Sequence, residues 1–217
     1  FAPLLAGLGS ADSLATILDG LDRDLETPPA ELVALLEKVP GGHVRNLALQ
    51  LDRQTEDCPH RRLLKSLLGL RAKAEPDALF TAITERSGAA SVELFALLRE
   101  VLPPRAIPAA APLSARADPP LQCAALEVLA TAPTSSEEAA HAVAVQLESK
   151  DLSVRLAATR SIAVRRDLRG FTILSKELQR RASSLTTEEA SAMGEALARI
   201  MPEDALKLLT PFLSAKG

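Results

Sequence analysis

Residues 151–166 read DLSVRLAATRSIAVRR, and this stretch decides how the chain folds. Its aliphatic side chains recur at helical spacing and make one apolar face: Val154, Ala157, Ala158 and Ile162, with Leu152 and Leu156 at the edge. Arg155, Thr159 and Arg166 fall on the other side of the same helix. Because Asp151 precedes the run as an N-cap candidate, the stretch predicts an amphipathic helix that packs against neighbouring helices.

Helix starts of this kind recur along the chain. A residue that favours helix N-caps precedes an apolar run at Thr27, Ser91, Asp118, Ser135 or Ser136, Asp151 and Thr186. Sustained alternation of apolar and polar residues, which would indicate strands, does not occur in the sequence. Aromatic residues make up only 2% of the chain, so Leu, Ala, Val and Ile must fill the core. These features together predict an all-α fold.

A nine-residue block recurs six times, starting at residues 31, 62, 93, 121, 154 and 189. Five of the blocks carry a small residue at the fourth position: Ala34, Ala96, Ala124, Ala157 and Ala192. We expect alanine at this position to let neighbouring helices approach closely. Since the block recurs about every 31 residues, the chain reads as an array of similar units.

A weaker helical segment lies between the blocks and usually follows a proline. This segment is the first helix of each unit, and the block forms the second helix. The prolines in question are Pro40, Pro76, Pro103, Pro133 and Pro202. A proline ends one helix and is tolerated in the first turn of the next, so each marks a boundary between units. The sequence therefore predicts about six helical hairpins, which bury a continuous core only by stacking on one another.

The stretch DLSVRLAATRSIAV resembles the second helix of a HEAT repeat through Asp151, Val154, Arg155 and Ala158. The resemblance implies a right-handed α-α superhelix, that is, a HEAT- or armadillo-like solenoid. The short period is similar to that of the compact HEAT-like repeats of many bacterial proteins. The resemblance also implies that Asp151 and Arg155 are structural residues that pair with neighbouring repeats.

The domain organisation follows from the same pattern. We expect one solenoid domain over residues 1–217, with an irregular proline-rich segment at 103–120. Pro108 and Pro112 predict that the helix there is short, kinked or irregular, because an internal proline removes a backbone hydrogen bond. Since the chain begins with Phe1 rather than Met, we expect a processed product or a piece of a longer protein.

Charge, cysteine content and motifs argue against several classes of function. A formal net charge of −3 does not favour nucleic-acid binding. Two cysteines distant in sequence favour a reducing compartment and hence the cytoplasm, and no apolar run is long enough for membrane insertion. Nucleotide-binding, hydrolase and zinc-protease motifs are absent, and the three histidines lack metal-ligand spacing. We therefore predict a protein without enzyme activity, cofactor or metal.

Basic residues concentrate on one part of the chain. Residues 151–181 hold eight Lys or Arg and three Asp or Glu, whereas residues 1–42 hold two and seven. The candidate protein-binding residues are Arg160, Arg165, Arg166, Arg169, Lys176, Arg180 and Arg181. The surface lined by the second helices, with these residues at its basic end, is the predicted docking site. The opposite charges also suit self-association.

The predicted function is a non-enzymatic scaffold or adaptor that binds another protein, whose identity the sequence does not reveal. Two alternatives stay open. One is a nucleic-acid-binding module that uses the basic patch 155–181, and it predicts an affinity that falls steeply with salt. The other is an accessory subunit or lyase-like protein with a small ligand in the concave groove, and it predicts thermal stabilisation by that ligand.

Overall fold

The structure is a computed structural model that describes residues 13, 16, 17, 20, 28–38, 43–53 and 58–214. These residues form α-helices and one short 3₁₀ helix, and no strand occurs among them. The prediction of an all-α fold is confirmed. Within this part of the chain, none of the helices combines the length and the apolar character needed to cross a bilayer.

The helices are numbered in chain order. The first six are α1 (Ala30–Lys38), α2 (His43–Arg53), α3 (Pro59–Ala74), α4 (Pro76–Thr84), α5 (Gly88–Val101) and α6 (Pro103–Ser114). The next six are α7 (Pro119–Ala130), α8 (Glu137–Val145), α9 (Leu152–Arg165), α10 (Leu168–Arg181), α11 (Thr187–Ile200) and α12 (Pro202–Ser214). The 3₁₀ helix Gln146–Glu148 directly follows α8.

The chain divides into two compact units, Phe1–Ala106 and Ile107–Gly217. In the first unit, α2 packs on α3 and α4, and α5 packs on the same two helices. In the second unit, α9 lies between α7 and α11, while α8 packs on α7 and α9, and α10 packs on α9 and α11. Such alternating helices are compatible with a helical solenoid. The single domain over residues 1–217 stays a prediction.

Cap residues set the starts of the helices in the second unit. The Ser136 side chain accepts a hydrogen bond at the start of α8, and the Asp151 side chain accepts two at the start of α9. Thr186 and Glu189 form a capping box at the start of α11, in which each side chain accepts a bond from the other's backbone N–H. These three starts were predicted from the sequence.

The start of α5 differs from the prediction. The helix begins at Gly88 with Ser87 at the N-cap position, so Ser91 lies inside the first turns. Ser91 is buried, and its hydroxyl group donates to the carbonyl oxygen of Gly88. A serine inside a helix satisfies its hydroxyl group in this way, which its sequence neighbours alone do not reveal. The predicted cap at Thr27 lies outside the described residues.

Prolines open several helices and also occur inside one. Pro76, Pro103 and Pro202 are the first residues of α4, α6 and α12, where proline has no backbone bond to lose. Unlike the short or irregular segment expected, residues 103–114 form one continuous helix that includes Pro108 and Pro112. Both prolines are exposed, so water can replace the N–H donors that they remove. Pro40 lies outside the described residues.

The second helices, which carry the nine-residue blocks, are α1, α3, α5, α7, α9 and α11. Their contact face differs in register between the two units. In α3 and α5, buried leucines occupy the second and sixth block positions, as Leu63 and Leu67 do. In α9 the buried residues include the first and fifth positions, Val154 and Ala158. The predicted small-residue positions vary accordingly: Ala34 and Ala96 are exposed, whereas Ala124, Ala157 and Ala192 are half-buried.

Glycine makes the closest approach between helices in the second unit. A Cβ atom added to Gly170 in α10 would lie 2.5 Å from Cγ2 of Ile162 in α9 and 3.8 Å from Cδ1 of Ile200 in α11. A separation of 2.5 Å is a clash with a β-branched core side chain. The packing of α10 on α9 therefore requires glycine at this position.

Candidate functional site

Three arginines of α9 recur at a spacing of five residues: Arg155, Arg160 and Arg165. Five residues of an α-helix correspond to a rotation of about 140° beyond one full turn, so the three side chains point in three directions. The structure places each of them in a different environment. Only one of the three belongs to an open surface.

Arg165 is buried, with 6% of its surface exposed. Its Nη1 atom donates to the carbonyl oxygens of Leu129 and Ala132, each at 3.1 Å, and its Nη2 atom donates to that of Pro133 at 3.1 Å. Longer bonds reach the carbonyl oxygens of Thr134 and Ser136. Arg165 thus satisfies the carbonyl groups at the C-terminal end of α7 and in the turn after it. We therefore remove Arg165 from the predicted docking surface.

Arg155 joins α9 to the next second helix. Its Nε atom lies 2.6 Å from Oε1 of Glu189 in α11, and its Nη1 atom donates to the carbonyl oxygens of Ser149 and Lys150. The Asp151 carboxylate accepts bonds from the backbone N–H groups of Ser153 and Val154. Arg155 therefore contacts the next repeat, as the HEAT resemblance implies, whereas Asp151 caps its own helix rather than pairing with a neighbouring repeat.

Glu189 is the centre of this contact between α9 and α11, and only 3% of its side chain is exposed. Arg181 also donates to Oε1 of Glu189, at 3.0 Å. Burial raises the pKa of Glu189, but hydrogen bonds from Arg155 and from the backbone and hydroxyl groups of Thr186 outweigh it, and the pKa falls to about 2. The carboxylate therefore stays ionised across the physiological range.

Two further arginines of the predicted patch have partners within the fold. Arg169 binds the Asp167 carboxylate at 2.8 Å and donates to the carbonyl oxygen of Thr134 at 2.8 Å. Arg180 binds Glu177 at 2.7 Å. The Asp167 hydrogen bond and charge raise the pKa of Arg169, and Glu177 raises that of Arg180 in the same way.

Three residues of the predicted patch remain exposed with no side-chain partner in the part of the chain that the structure describes: Arg160, Arg166 and Lys176. Arg166 ends α9 in the left-handed conformation, with φ of 51°. Lys176 lies on α10, a first helix. Of the three, only Arg160 lines the groove between α9 and α11 that is described below. The predicted basic patch is therefore not one continuous surface of free charges.

The first unit repeats the contact between neighbouring second helices. Arg61 of α3 forms an ion pair with Glu93 of α5, which lies 32 residues further along the chain. Lys65 binds the same carboxylate at 2.6 Å. Glu93 and Glu189 are each the first residue of their nine-residue block. An acidic residue at this position therefore ties one repeat to the preceding repeat in both units.

A groove of about 730 Å³ runs between α9 and α11. Its floor is formed by small or buried apolar residues: Leu156, Ala163, Ala192 and Ala196. Val164 also lines the groove, with 56% of its surface exposed. The groove as a whole is open to solvent, although Val164 is the one exposed residue among its apolar lining residues. An open groove favours an interaction surface over a closed ligand cavity.

Four exposed charged residues line the groove: Arg160 on α9, and Glu188, Glu195 and Arg199 on α11. None of the four has a hydrogen-bond or ion-pair partner for its side chain among the described residues. The three residues of α11 are not among the predicted docking residues. Their spacing of seven and four residues, which puts them on one face of a helix, is the signal that would have found them.

The first unit has a depression of about 700 Å³ beside α2, and its charges are already satisfied. Arg45 pairs with Glu85 at 3.1 Å, and Arg86 pairs with Asp52 at 2.6 Å. Partner binding here would compete with these ion pairs. The groove between α9 and α11 is therefore the better candidate site.

The histidines and cysteines of the described part of the chain do not line the groove. The described residues hold no group of three or more His, Cys, Asp or Glu close enough to bind a metal ion. Cys58 and Cys123 are both free thiols and both half-buried. The Cys123 sulfur lies 3.7 Å from the hydroxyl oxygen of Ser153, which is a contact between α7 and α9.

Comparison with known proteins yields little. No family model matches the chain, and no curated protein sequence matches it. A solved structure described as that of an engineered protein is 19% identical, and the alignment covers 97% of this chain and 84% of that chain. Its TM-score is 0.35, a value too low to carry an argument about fold or function.

Proposed function

We propose that this protein is a non-enzymatic, HEAT-like α-solenoid that binds another protein in the cytoplasm, with the groove between α9 and α11 as its docking site. One observation carries the proposal. Most arginines of α9 and α10 have partners inside the fold, whereas the four charged residues of the groove have none in the described structure. Free charges around an apolar floor are what a protein partner needs for affinity and orientation.

A small ligand is a weaker match to this groove. Small-molecule sites bury most of the ligand and orient it with a few well-placed polar groups inside the cavity. All four charged residues of the groove are instead exposed to solvent. A partner with an extended surface can contact both the floor and these charges.

Nucleic acid is also disfavoured. Binding to phosphates needs several free cations on one surface, and the acidic residues Glu188 and Glu195 stand beside Arg160 and Arg199 in the groove. Arg155, Arg165 and Arg181 of the patch 155–181 are committed to partners within the fold. Too few free cations remain to make a phosphate-binding surface.

The test is a pull-down from the native lysate, treated with nuclease, with the whole chain as bait. We expect wild type to retain a protein that Arg160→Glu loses. Lys176→Glu is the matched control, because Lys176 is also exposed and unpaired but lies away from the groove. Equal loss with both variants would place the effect in net charge, and material that is retained only from a parallel lysate without nuclease would show that nucleic acid was bound.

A further inference from the structure

The two helices of the groove run parallel. Near their starts, Arg155 of α9 contacts Glu189 of α11. Near their ends, Ile162 of α9 and Ile200 of α11 both approach Gly170 of α10. Since both ends correspond, residues of α9 lie level with residues 34 to 38 positions further along the chain.

This alignment orders the charges along the groove. Glu188 lies at the N-terminal end, in the first turn of α11. Arg160 lies near the middle, about level with Glu195 on the other helix, so these two charges offset one another. Arg199 lies at the C-terminal end, in the last turn of α11, beside the apolar Val164. The groove is therefore acidic at its N-terminal end and basic at its C-terminal end.

The length of the groove matches about three turns of helix. Glu188 and Arg199 are separated by eleven residues of one α-helix, which corresponds to roughly 16 Å. Alanines on the floor let the backbone of an occupant come close to α9 and α11. The groove is thus short, and small residues form most of its floor.

An extended peptide would bind this floor poorly. The floor consists of side chains from two α-helices, whose backbone N–H and C=O groups are already bonded within each helix. An extended segment that lies there finds no backbone partners for its own N–H and C=O groups. A helical segment brings its own backbone bonds and needs only an apolar face.

We propose that the occupant is an amphipathic helix of about three turns from the partner protein, antiparallel to α9 and α11, with carboxylates in its first turn and Lys or Arg in its last turn. The proposal rests on the proposed function. Helices generally favour acidic N-termini and basic C-termini because of the helix dipole. Such a helix places its acidic end at Arg199 and its basic end at Glu188 only when it lies antiparallel.

The test uses a displayed library of peptides of about twelve random residues, the length of three to four helical turns, selected on the whole wild-type chain. We expect the enriched peptides to be acidic in their first turn, basic in their last turn and apolar at helical spacing between. Ala192→Trp, which fills the floor, is expected to abolish the enrichment. Absence of enrichment, no order of charge, the reverse order, or enrichment that survives Ala192→Trp would each overturn the proposal.

A charge-reversed groove provides the second measurement. In Glu188→Lys/Arg199→Glu both end charges are exchanged, while both side chains stay exposed on the same helix. We expect the selected peptide to lose about tenfold in affinity for this variant, and a peptide with the opposite charge order to gain a similar factor. Unchanged affinities would refute the proposed orientation. If the pull-down retains an Arg160-dependent partner but the library result is negative, the proposed function stands and only the helical occupant is wrong.

Discussion

Arg165→Met tests whether the buried arginine holds the second unit together. The substitution keeps a long, unbranched side chain but removes the guanidinium that donates to the carbonyl oxygens at the end of α7 and in the turn after it. Three of the five bonds are 3.1 Å long and well formed, and the other two are longer. At roughly 1–1.5 kcal/mol for each well-formed bond, we expect the free energy of unfolding to fall by about 3–4 kcal/mol.

The assay is urea denaturation followed by far-ultraviolet circular dichroism, because the chain contains no Trp or Tyr to report by fluorescence. Arg160→Met is the matched control: it is the same substitution in the same helix, at an exposed residue without a partner. We expect that control to change the free energy of unfolding by less than about 0.5 kcal/mol. A loss below about 1 kcal/mol for Arg165→Met would mean that water replaces the guanidinium readily, and the reasoning would be refuted.

Three further predictions concern other contacts of the second unit. Gly170→Ala is expected to lower the free energy of unfolding by about 1–2 kcal/mol, because the new methyl group clashes with Ile162. Gly194→Ala is the control: its Cβ meets only an ordinary contact at 3.7 Å, so the same urea titration is expected to show a higher free energy of unfolding. Arg166→Gly is expected to raise the free energy of unfolding by about 0.5–1 kcal/mol, because glycine adopts the φ of 51° without strain. The melting temperature should rise accordingly, and a lower melting temperature would contradict this reasoning. The low pKa of Glu189 stabilises the fold by about 3 kcal/mol above pH 5, and this contribution is lost as the pH falls from 4.5 towards 2. The stability gap between wild type and Glu189→Gln is therefore expected to shrink over that range. A constant gap in a pH series of urea titrations would contradict this expectation.

Local chemistry made the helices predictable from the sequence. Asp151 and Thr186 were recognisable as caps because a side-chain oxygen that precedes an apolar run can accept hydrogen bonds from the free N–H groups of a helix start. Ser91 was misread for the same reason, since serine also occurs inside helices. Residues 103–114 are continuously helical where a short or irregular segment was expected, because the rule against internal proline assumes that solvent does not replace the lost bonds. A kink at these prolines stays a prediction.

The apolar spacing correctly predicted that Val154, Ala158 and Ile162 are buried. The environments of the polar residues of α9 were not predictable, because this helix has neighbours on several sides. Thr159, assigned to the polar side from the sequence, has 2% of its surface exposed. Its hydroxyl group donates to the carbonyl oxygen of Arg155 one turn earlier. Arg160 and Arg165 are the same residue type in the same helix, and only the position of α7 separates an open side chain from a buried one. The groove was missed since it depends on two helices 35 residues apart in sequence aligning side by side.

The two kinds of contact that α9 makes with its neighbours have different evolutionary consequences. Arg165 binds main-chain oxygens, which every residue type supplies, so the sequence at the end of α7 is free to drift while Arg165 is kept. Arg155 binds a side chain, so loss of Glu189 leaves a cation without its partner and favours a compensating change. Among homologues we therefore expect Arg165 to be retained without a covarying position, and positions 155 and 189 to change together.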